Sequence, residues 1–418
     1  MPPAGPPSLA EALPVWAGIG AASFGGPAAQ IAMLHREIVE RRAWVDEAEF
    51  QQALNLCMLL PGPEALQLAI YLGWRLHRVR GALMAGGLFL LPAVLLLGVL
   101  SWAYVRYGRV PAVAGALLGL EAAVVVLILA AVLRLGRRSL DTLAKRLIAL
   151  GAFAALTLTS LPYPLLLGAA ALLGMVFRRP ERRDGGKSQA ASSRIPSRPL
   201  LTLGTGIVLW LVPPLGLVAA GLDGVPLRLY LVLTRAALLT FGGAYAIVRY
   251  VSADFSQTLG WLTPEQSVVG LALAETTPGP LMIVLQYFGF MAGWNHPGSL
   301  GPEAAAFLCA ALASYACFLP SFVIVLLAAP YLGVLGRSPR VGAALGGVTA
   351  FVVGVIASLG VTVAATVLLH ADTHAPRWPV LALSLLTGVL LRASQAPLYL
   401  VMLVAAGAGL VATAFGFL

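Results

Sequence analysis

Asn55-Leu-Cys-Met-Leu-Leu-Pro61-Gly62-Pro63 and, far along the chain, Leu273-Ala-Glu-Thr-Thr-Pro278-Gly279-Pro280 are the stretches on which the fold turns. Each Pro-Gly-Pro interrupts an apolar segment, with Phe50 to Leu60 before the first and Glu64 to Trp74 after it, then Ser267 to Thr277 and Leu281 to Trp294 around the second. Proline supplies no N–H and glycine is a poor helix former, so a helix breaks at each. In hydrocarbon the freed backbone groups cost several kcal/mol unless they face protein or a wet cavity, and broken helices therefore line sites. The segment after each break turns its N-terminus, with unpaired N–H donors and about half a positive charge, towards the gap. That geometry receives anions, and two breaks brought together donate to one tetrahedral oxyanion from opposite sides. The plainer alternative is a helical-hairpin turn at the membrane surface.

Working outward, the chain repeats itself. At an offset of 217 residues, Phe24-Gly25-Gly26 falls on Phe241-Gly242-Gly243, Glu37 on Asp254, Trp44 on Trp261 and Pro61-Gly62-Pro63 on Pro278-Gly279-Pro280. With small insertions the match continues, Pro92 to Pro320 and Gly119 to Gly347 at 228, then Pro164 to Pro397 at 233. A whole unit is duplicated, which divides the chain into an N-terminal repeat over 8–177, a basic cytoplasmic linker over 178–199, a connecting transmembrane helix over 200–222 and a C-terminal repeat over 225–417. If each half crosses six times, the added helix inverts the second copy and gives thirteen spans. If the Pro-Gly-Pro pairs are re-entrant, each half crosses five times and the copies run parallel. Loop charge favours inversion: Leu133 to Arg146 holds five basic residues, while its counterpart, His370 to Trp378, holds only Arg377.

Composition agrees with an all-α polytopic membrane protein. Of 418 residues, 59% are hydrophobic and only 11% charged, against roughly a quarter charged in soluble domains. Apolar runs such as Ala82 to Ala103, Leu200 to Leu222 and Val341 to Leu369 are long enough to span. The start lacks the basic region and cleavage site of a secretory signal, so the first helix is expected to stay in the mature protein. The net charge of +10 sits largely in short loops, where it orients helices, and nucleic-acid binding is not expected. Cys57, Cys309 and Cys317 make neither a disulfide framework nor a zinc pattern. His370 and His374, four apart, read as a solvated loop, so no metal and no cofactor are expected.

Ionisable residues inside spans are the functional candidates. Arg235 lies mid-segment where the first copy has Gly18, and an oxyanion is its natural partner. Glu64, Glu121 and Glu275 are candidates for a coupling proton. A salt bridge of Arg235 with one of these glutamates is the structural alternative. Asn55, Gln67, Thr276, Thr277 and Gln286 are hydrogen-bonding candidates, with Thr276 and Thr277 foremost because they immediately precede Pro278. Gly25, Gly26, Gly242 and Gly243 let backbones approach closely or cap the first helix of each copy. Asp46 to Glu49 and Thr263 to Gln266 both fit a capping box that opens the helix before each break. No nucleotide-binding loop and no hydrolase motif is present, so the chain is not read as an enzyme and its energy source is a gradient.

These strings resemble the chromate ion transporter (CHR) family of the long-chain, bidomain type: Phe24-Gly-Gly-Pro-Ala-Ala-Gln-Ile-Ala-Met-Leu-His-Arg-Glu37, Asn55 to Ala65, Thr240 to Ala246, Gly260-Trp-Leu-Thr-Pro264 and Leu273 to Pro280. The resemblance covers nearly the whole chain apart from the linker. It implies two halves of opposite orientation in the bacterial inner membrane, exporting chromate from the cytoplasm and so conferring chromate resistance. It also implies coupling to protons or to sulfate, a similar dianion. Where the family pattern has a lysine before the second Phe-Gly-Gly, this chain has Arg235, which keeps the charge. Sulfate or another small anion, or a channel mode, is the alternative reading, and a homodimer is an expected assembly.

Overall fold

A computed structural model describes residues 7–159, 161–177, 199–241, 244–331, 339–370, 372–393 and 397–416. The basic linker over 178–199 thus lies outside the described residues except for Pro199, as do Gly242 and Gly243. Among the described residues there is no strand, only an isolated bridge between Leu369 and Pro376.

The first half runs α1 (Leu9–Ala22), α2 (Gly26–His35, continued by a π turn over Arg36–Glu40), α3 (Glu47–Cys57), α4 (Glu64–Tyr107), α5 (Pro111–Ser139), α6 (Leu143–Leu158) and α7 (Tyr163–Val176). α8 (Pro199–Ala219) links it to a second half of the same order: α9 (Val225–Leu238), α10 (Ala244–Ala253, with a π turn over Asp254–Thr258), α11 (Pro264–Thr276), α12 (Val284–Asn295), α13 (Pro302–Ala328), α14 (Pro339–Leu368), α15 (Trp378–Ala393) and α16 (Leu398–Ala414). Both copies carry a π turn at nearly the same place. α4, α5, α8, α13 and α14 contain the five stretches long and apolar enough to cross a membrane.

Local chemistry sets the boundaries. Ser8 and Thr263 form full capping boxes with Glu11 and Gln266. Asp46 caps α3 by accepting from the Glu49 N–H, but Glu49 does not reach back, because its carboxylate pairs with Arg75 instead. α4 is two helices: His77 and Arg78 leave helical geometry, Arg78 at φ 54°, ψ −141°. The arms over 64–76 and 79–107 fold against each other so closely that a Cβ on Gly73 would run into the Gly81 carbonyl oxygen.

Chain direction follows from contacts. The Arg75–Glu49 pair brings the end of the first α4 arm back to the start of α3, so the two form a hairpin that enters and leaves by one face. α1 begins at that face, where His77 Nε2 lies 2.5 Å from the Pro7 carbonyl oxygen. It ends level with the middle of α4, where Gly20 lies against the Leu88 carbonyl that Pro92 leaves without its helical donor. α2 and its π turn return to the first face, where His35 meets Glu47 at 2.6 Å. The second half mirrors this from the opposite face. Asn295, at the end of α12, donates to the Trp261 carbonyl at 2.9 Å and to Gln266 Oε1 at 3.0 Å. These bonds tie the end of α12 to the start of α11, as the Arg75–Glu49 pair ties α4 to α3. Arg106 at the end of α4 pairs with Glu303 at the start of α13, so α13 starts on the face where α4 ends. α8 runs antiparallel to α13, with Gly206 against Val323 and Leu209 under Tyr315, and so carries the chain to that second face.

The copies are therefore inverted and re-entrant together, which corrects both span counts of the sequence reading. Neither six nor five crossings per half holds, because the Phe-Gly-Gly segment is itself a hairpin tip. α1 has 14 residues, roughly 21 Å at 1.5 Å per residue, too short for a hydrocarbon core of about 30 Å. Each half instead holds two hairpins with tips at the middle, two long helices and a shorter helix pair, and α8 supplies the inversion.

Single cysteines in a background with Cys57, Cys309 and Cys317 replaced test this topology. Cysteines at Arg80 and Ser139 are expected to react with an impermeant thiol reagent from one side only, and those at Gly108 and Pro297 from the other; Pro297 reacting together with Arg80 would remove the inversion.

Candidate functional site

Four hairpin tips meet at the middle of the bundle, and they hold one another by backbone. The Gly62 N–H of the first Pro-Gly-Pro donates to the Thr240 carbonyl at the end of α9, at 2.8 Å. The Gly279 N–H of the second donates to the Ser23 carbonyl at the end of α1, at 2.9 Å. Ser23 and Thr240 are equivalent in the repeat, so the two bonds form a crossed pair. Packing is crossed too. A Cβ on Gly62 would lie 2.7 Å from Ser321 Oγ, and one on Gly279 2.6 Å from Ala93 Cβ, and Ser321 and Ala93 are the equivalent residues just after Pro320 and Pro92. Gly62 and Gly279 have φ of +126° and +105°, a region only glycine enters freely. Each tip is thus built to enter the other half.

The segments leaving the tips, α2, the first arm of α4, α10 and the short 3-10 turn Leu281–Ile283 leading into α12, all begin at this junction. Their first N–H groups have no helical acceptor, and their dipoles place positive ends together. Gly25 and Gly26, at φ +93° and +77°, turn the chain at the first of these tips.

Side chains knit the tips. Gln30, 1% exposed, donates through Nε2 to the Ser23 carbonyl at 2.9 Å and the Gly279 carbonyl at 2.6 Å, bridging the two halves. Gln67 donates to the Pro61 carbonyl at 2.6 Å. Among the described residues the Oε1 atoms of both amides are buried without a donor, which makes them acceptors at the junction. Glu275 accepts from the Tyr245 hydroxyl at 2.5 Å. Thr276 and Thr277 donate their hydroxyl protons to the Leu273 and Ala274 carbonyls, at 2.7 and 2.9 Å, which leaves their oxygens as acceptors. Gln286 donates to the Val94 carbonyl at 2.8 Å and accepts from Ser314 at 2.9 Å, tying α12 across to α4. A cavity of about 390 Å³, lined among others by Phe24, Leu273, Thr276 and Tyr399, opens beside the first Phe-Gly-Gly tip.

Of the residues singled out from sequence, Gly25, Gly26, Pro61, Gly62, Pro63, Glu64, Gln67, Thr276, Thr277, Pro278, Gly279 and Pro280 belong to the described tips or the turns beside them. Gly242 and Gly243 lie outside the described residues. Asn55 is exposed on α3 and does not join them. Glu121 sits on α5, away from the tips in sequence and, among the described residues, without a hydrogen bond or ion pair. Arg235 is exposed and donates to the Tyr250 hydroxyl at 2.9 Å, and among the described residues it pairs with neither a glutamate nor a tip residue. Gln30 and Tyr245 were not legible as site residues: they follow the Phe-Gly-Gly motifs by a few residues, and only folding the chain back at those motifs brings them in.

An inverted pair of helical-hairpin halves with half-helix N-termini meeting mid-bundle is a plan found in many transporters. The chain belongs to the chromate transporter family, whose profile matches residues 10–175 and 227–410. It is 31% identical to a probable chromate transport protein of Synechococcus elongatus over 81% of this chain and 80% of that protein. A chromate transport protein of Cupriavidus metallidurans is 31% identical over 81% of this chain and 78% of its own length. One of Pseudomonas aeruginosa is 33% identical over 82% and 78%. No solved structure matches the chain. Family and helices together make this a multi-pass membrane transporter and not an enzyme.

Replacing Gln30 with leucine keeps the volume but strands the buried Gly279 carbonyl, at a cost of about 1–3 kcal/mol, while the Ser23 carbonyl keeps the Gly279 N–H. The detergent-solubilised Gln30→Leu protein is expected to melt several degrees lower than the wild type, and an unchanged melting temperature would remove the bridge from the account.

Proposed function

We propose that the chain exports chromate from the cytoplasm across the bacterial inner membrane by alternating access, driven by a proton gradient or by exchange with sulfate, and so confers chromate resistance. The observation that carries this reading is the meeting of half-helix N-termini from two oppositely oriented halves at the middle of the bundle. Backbone N–H groups there recognise a tetrahedral dianion without any lysine or arginine at the tips, and the halves that hold them can rock about a shared junction. Chromate transport, for which the relatives are named, agrees with that chemistry.

In this reading the first face is cytoplasmic. Arg75, Arg78 and Arg80, the five basic residues of 133–146 and the basic linker all belong to it, whereas the equivalent second-face turn over Trp294 to Pro302 carries no lysine, arginine or carboxylate. The division into repeats over 8–177 and 225–417, joined by the linker and the helix over 200–222, follows from the same assignment. Gly62, Gly279 and their flanking prolines line the anion's seat, with Gln67, Thr276 and Thr277 beside it. Glu64 and Glu275 stand at the two breaks as proton carriers, Glu275 steadied by Tyr245.

Everted vesicles test this. Chromate uptake is expected to saturate and to fall with a protonophore or in the absence of trans sulfate; unsaturable flux would make the chain a channel. Glu275→Gln keeps an acceptor for Tyr245, so it is expected to abolish protonophore-sensitive accumulation while keeping a chromate-induced rise in melting temperature. Accumulation equal to the wild type would take the coupling role away from Glu275.

A further inference from the structure

Between the tips and the second face lies a cluster of donors that lacks a charged acceptor. Arg249 stands on α10 one turn beyond Tyr245, on the same face of the helix. Among the described residues its guanidinium reaches only the Leu156 carbonyl and Ser358 Oγ, both at 3.4 Å, which is long for a hydrogen bond. Arg235 donates to the Tyr250 hydroxyl. The Tyr250 ring stacks on Tyr163, centroids 4.9 Å apart. Tyr163 is 5% exposed, and its hydroxyl has no hydrogen-bond partner among the described residues. Among those residues, too, neither arginine has a carboxylate within 4.0 Å.

Two guanidinium groups held at bilayer depth with only neutral acceptors are costly, and such residues mark pathways. Guanidinium donors cannot lose their charge, and phenol donors add directed O–H groups, so an oxyanion completes the set. Three of its four members come from the second copy, and Tyr163 comes from the first. Arg235, Arg249 and Tyr250 fall on Gly18, Ala32 and Met33 in the first half, so the duplication did not supply these groups.

We propose that Arg249, Arg235, Tyr250 and Tyr163 form an oxyanion station distinct from the hairpin tips, which the anion occupies on its way to or from the second face. The proposal rests on the reading of this chain as an oxyanion transporter. The tips select the anion by neutral backbone donors, and the station draws it along by charge.

Tyr163→Phe is the sharpest test, because deleting an unpartnered buried hydroxyl removes nothing the ligand-free fold uses. Its ligand-free melting temperature is expected to stay at or above that of the wild type, while the chromate KM in everted vesicles rises about tenfold. Arg249→Gln and Arg235→Gln are each expected to lose most chromate flux and to shrink the melting shift caused by chromate or sulfate, with Arg249→Lys restoring part of both. Wild-type KM and shift in Tyr163→Phe and Arg249→Lys would overturn the station, whether or not the glutamine variants fold. A wild type that shows neither flux nor shift with either anion would overturn the transport reading and the station with it; wild-type flux with unaffected variants would overturn the station alone.

Discussion

Two backbone hydrogen bonds carry the architecture: Gly62 N–H to the Thr240 carbonyl and Gly279 N–H to the Ser23 carbonyl. At the depth where they lie, water is not at hand to satisfy an interrupted helix, and an unpaired amide costs several kcal/mol. Neither half can meet that need by itself, because the acceptor for each Pro-Gly-Pro is the terminal carbonyl of the other half's first helix. The halves are therefore obligate partners. This constraint explains why glycine stands between the prolines, why the first helices stop at Phe-Gly-Gly and do not cross, and why the inserted tips pack beside Pro92 and Pro320 of the long helices.

Such a junction suits movement. A few backbone groups and amides hold it, and the other polar ties between the halves, such as Arg106 to Glu303 and Ser384 to the Ala122 carbonyl, lie apart from it. Gln30 bridges Ser23 and Gly279, whereas its counterpart in the repeat is Ile247, and Gln67 corresponds to Val284. The amides that bond the tip carbonyls thus come from the first half. The second half contributes Glu275, Tyr245 and the arginines. The duplication kept the backbone scheme and divided the side-chain tasks, one copy stiffening the junction and the other carrying charge.

The sequence displayed the parts governed by local chemistry. Pro-Gly-Pro breaks and capping residues at Asp46 and Thr263 depend on neighbouring residues, and each is found where those residues stand. Inversion was legible from unequal loop charge. The number of crossings was not, because an apolar run of about 14 residues suits half a membrane or a buried helix equally. What decides is the contact of Pro7 with His77 and of Ser23 with Gly279, residues far apart in the chain. Arg249 was hidden for a related reason: inside Ala244 to Ala253 it reads as the polar edge of an amphipathic helix until Leu156 and Ser358 are seen to close around it.

Selecting a dianion with neutral donors and guiding it with permanent charge divides two physical tasks that conflict in one place. A guanidinium at the tips would bind a dianion strongly in a medium of low dielectric constant and release it slowly. Helix N-termini offer a partial charge and several directed N–H groups, enough to recognise oxygens without a deep trap. Charge placed away from the tips, as at Arg249 and Arg235, lowers the barrier to entering the apolar bundle while leaving the central seat shallow. The inverted plan fixes the seat at the middle, since that is where the crossed tips must meet, and divergence of one copy was then free to bias the path on one side of it.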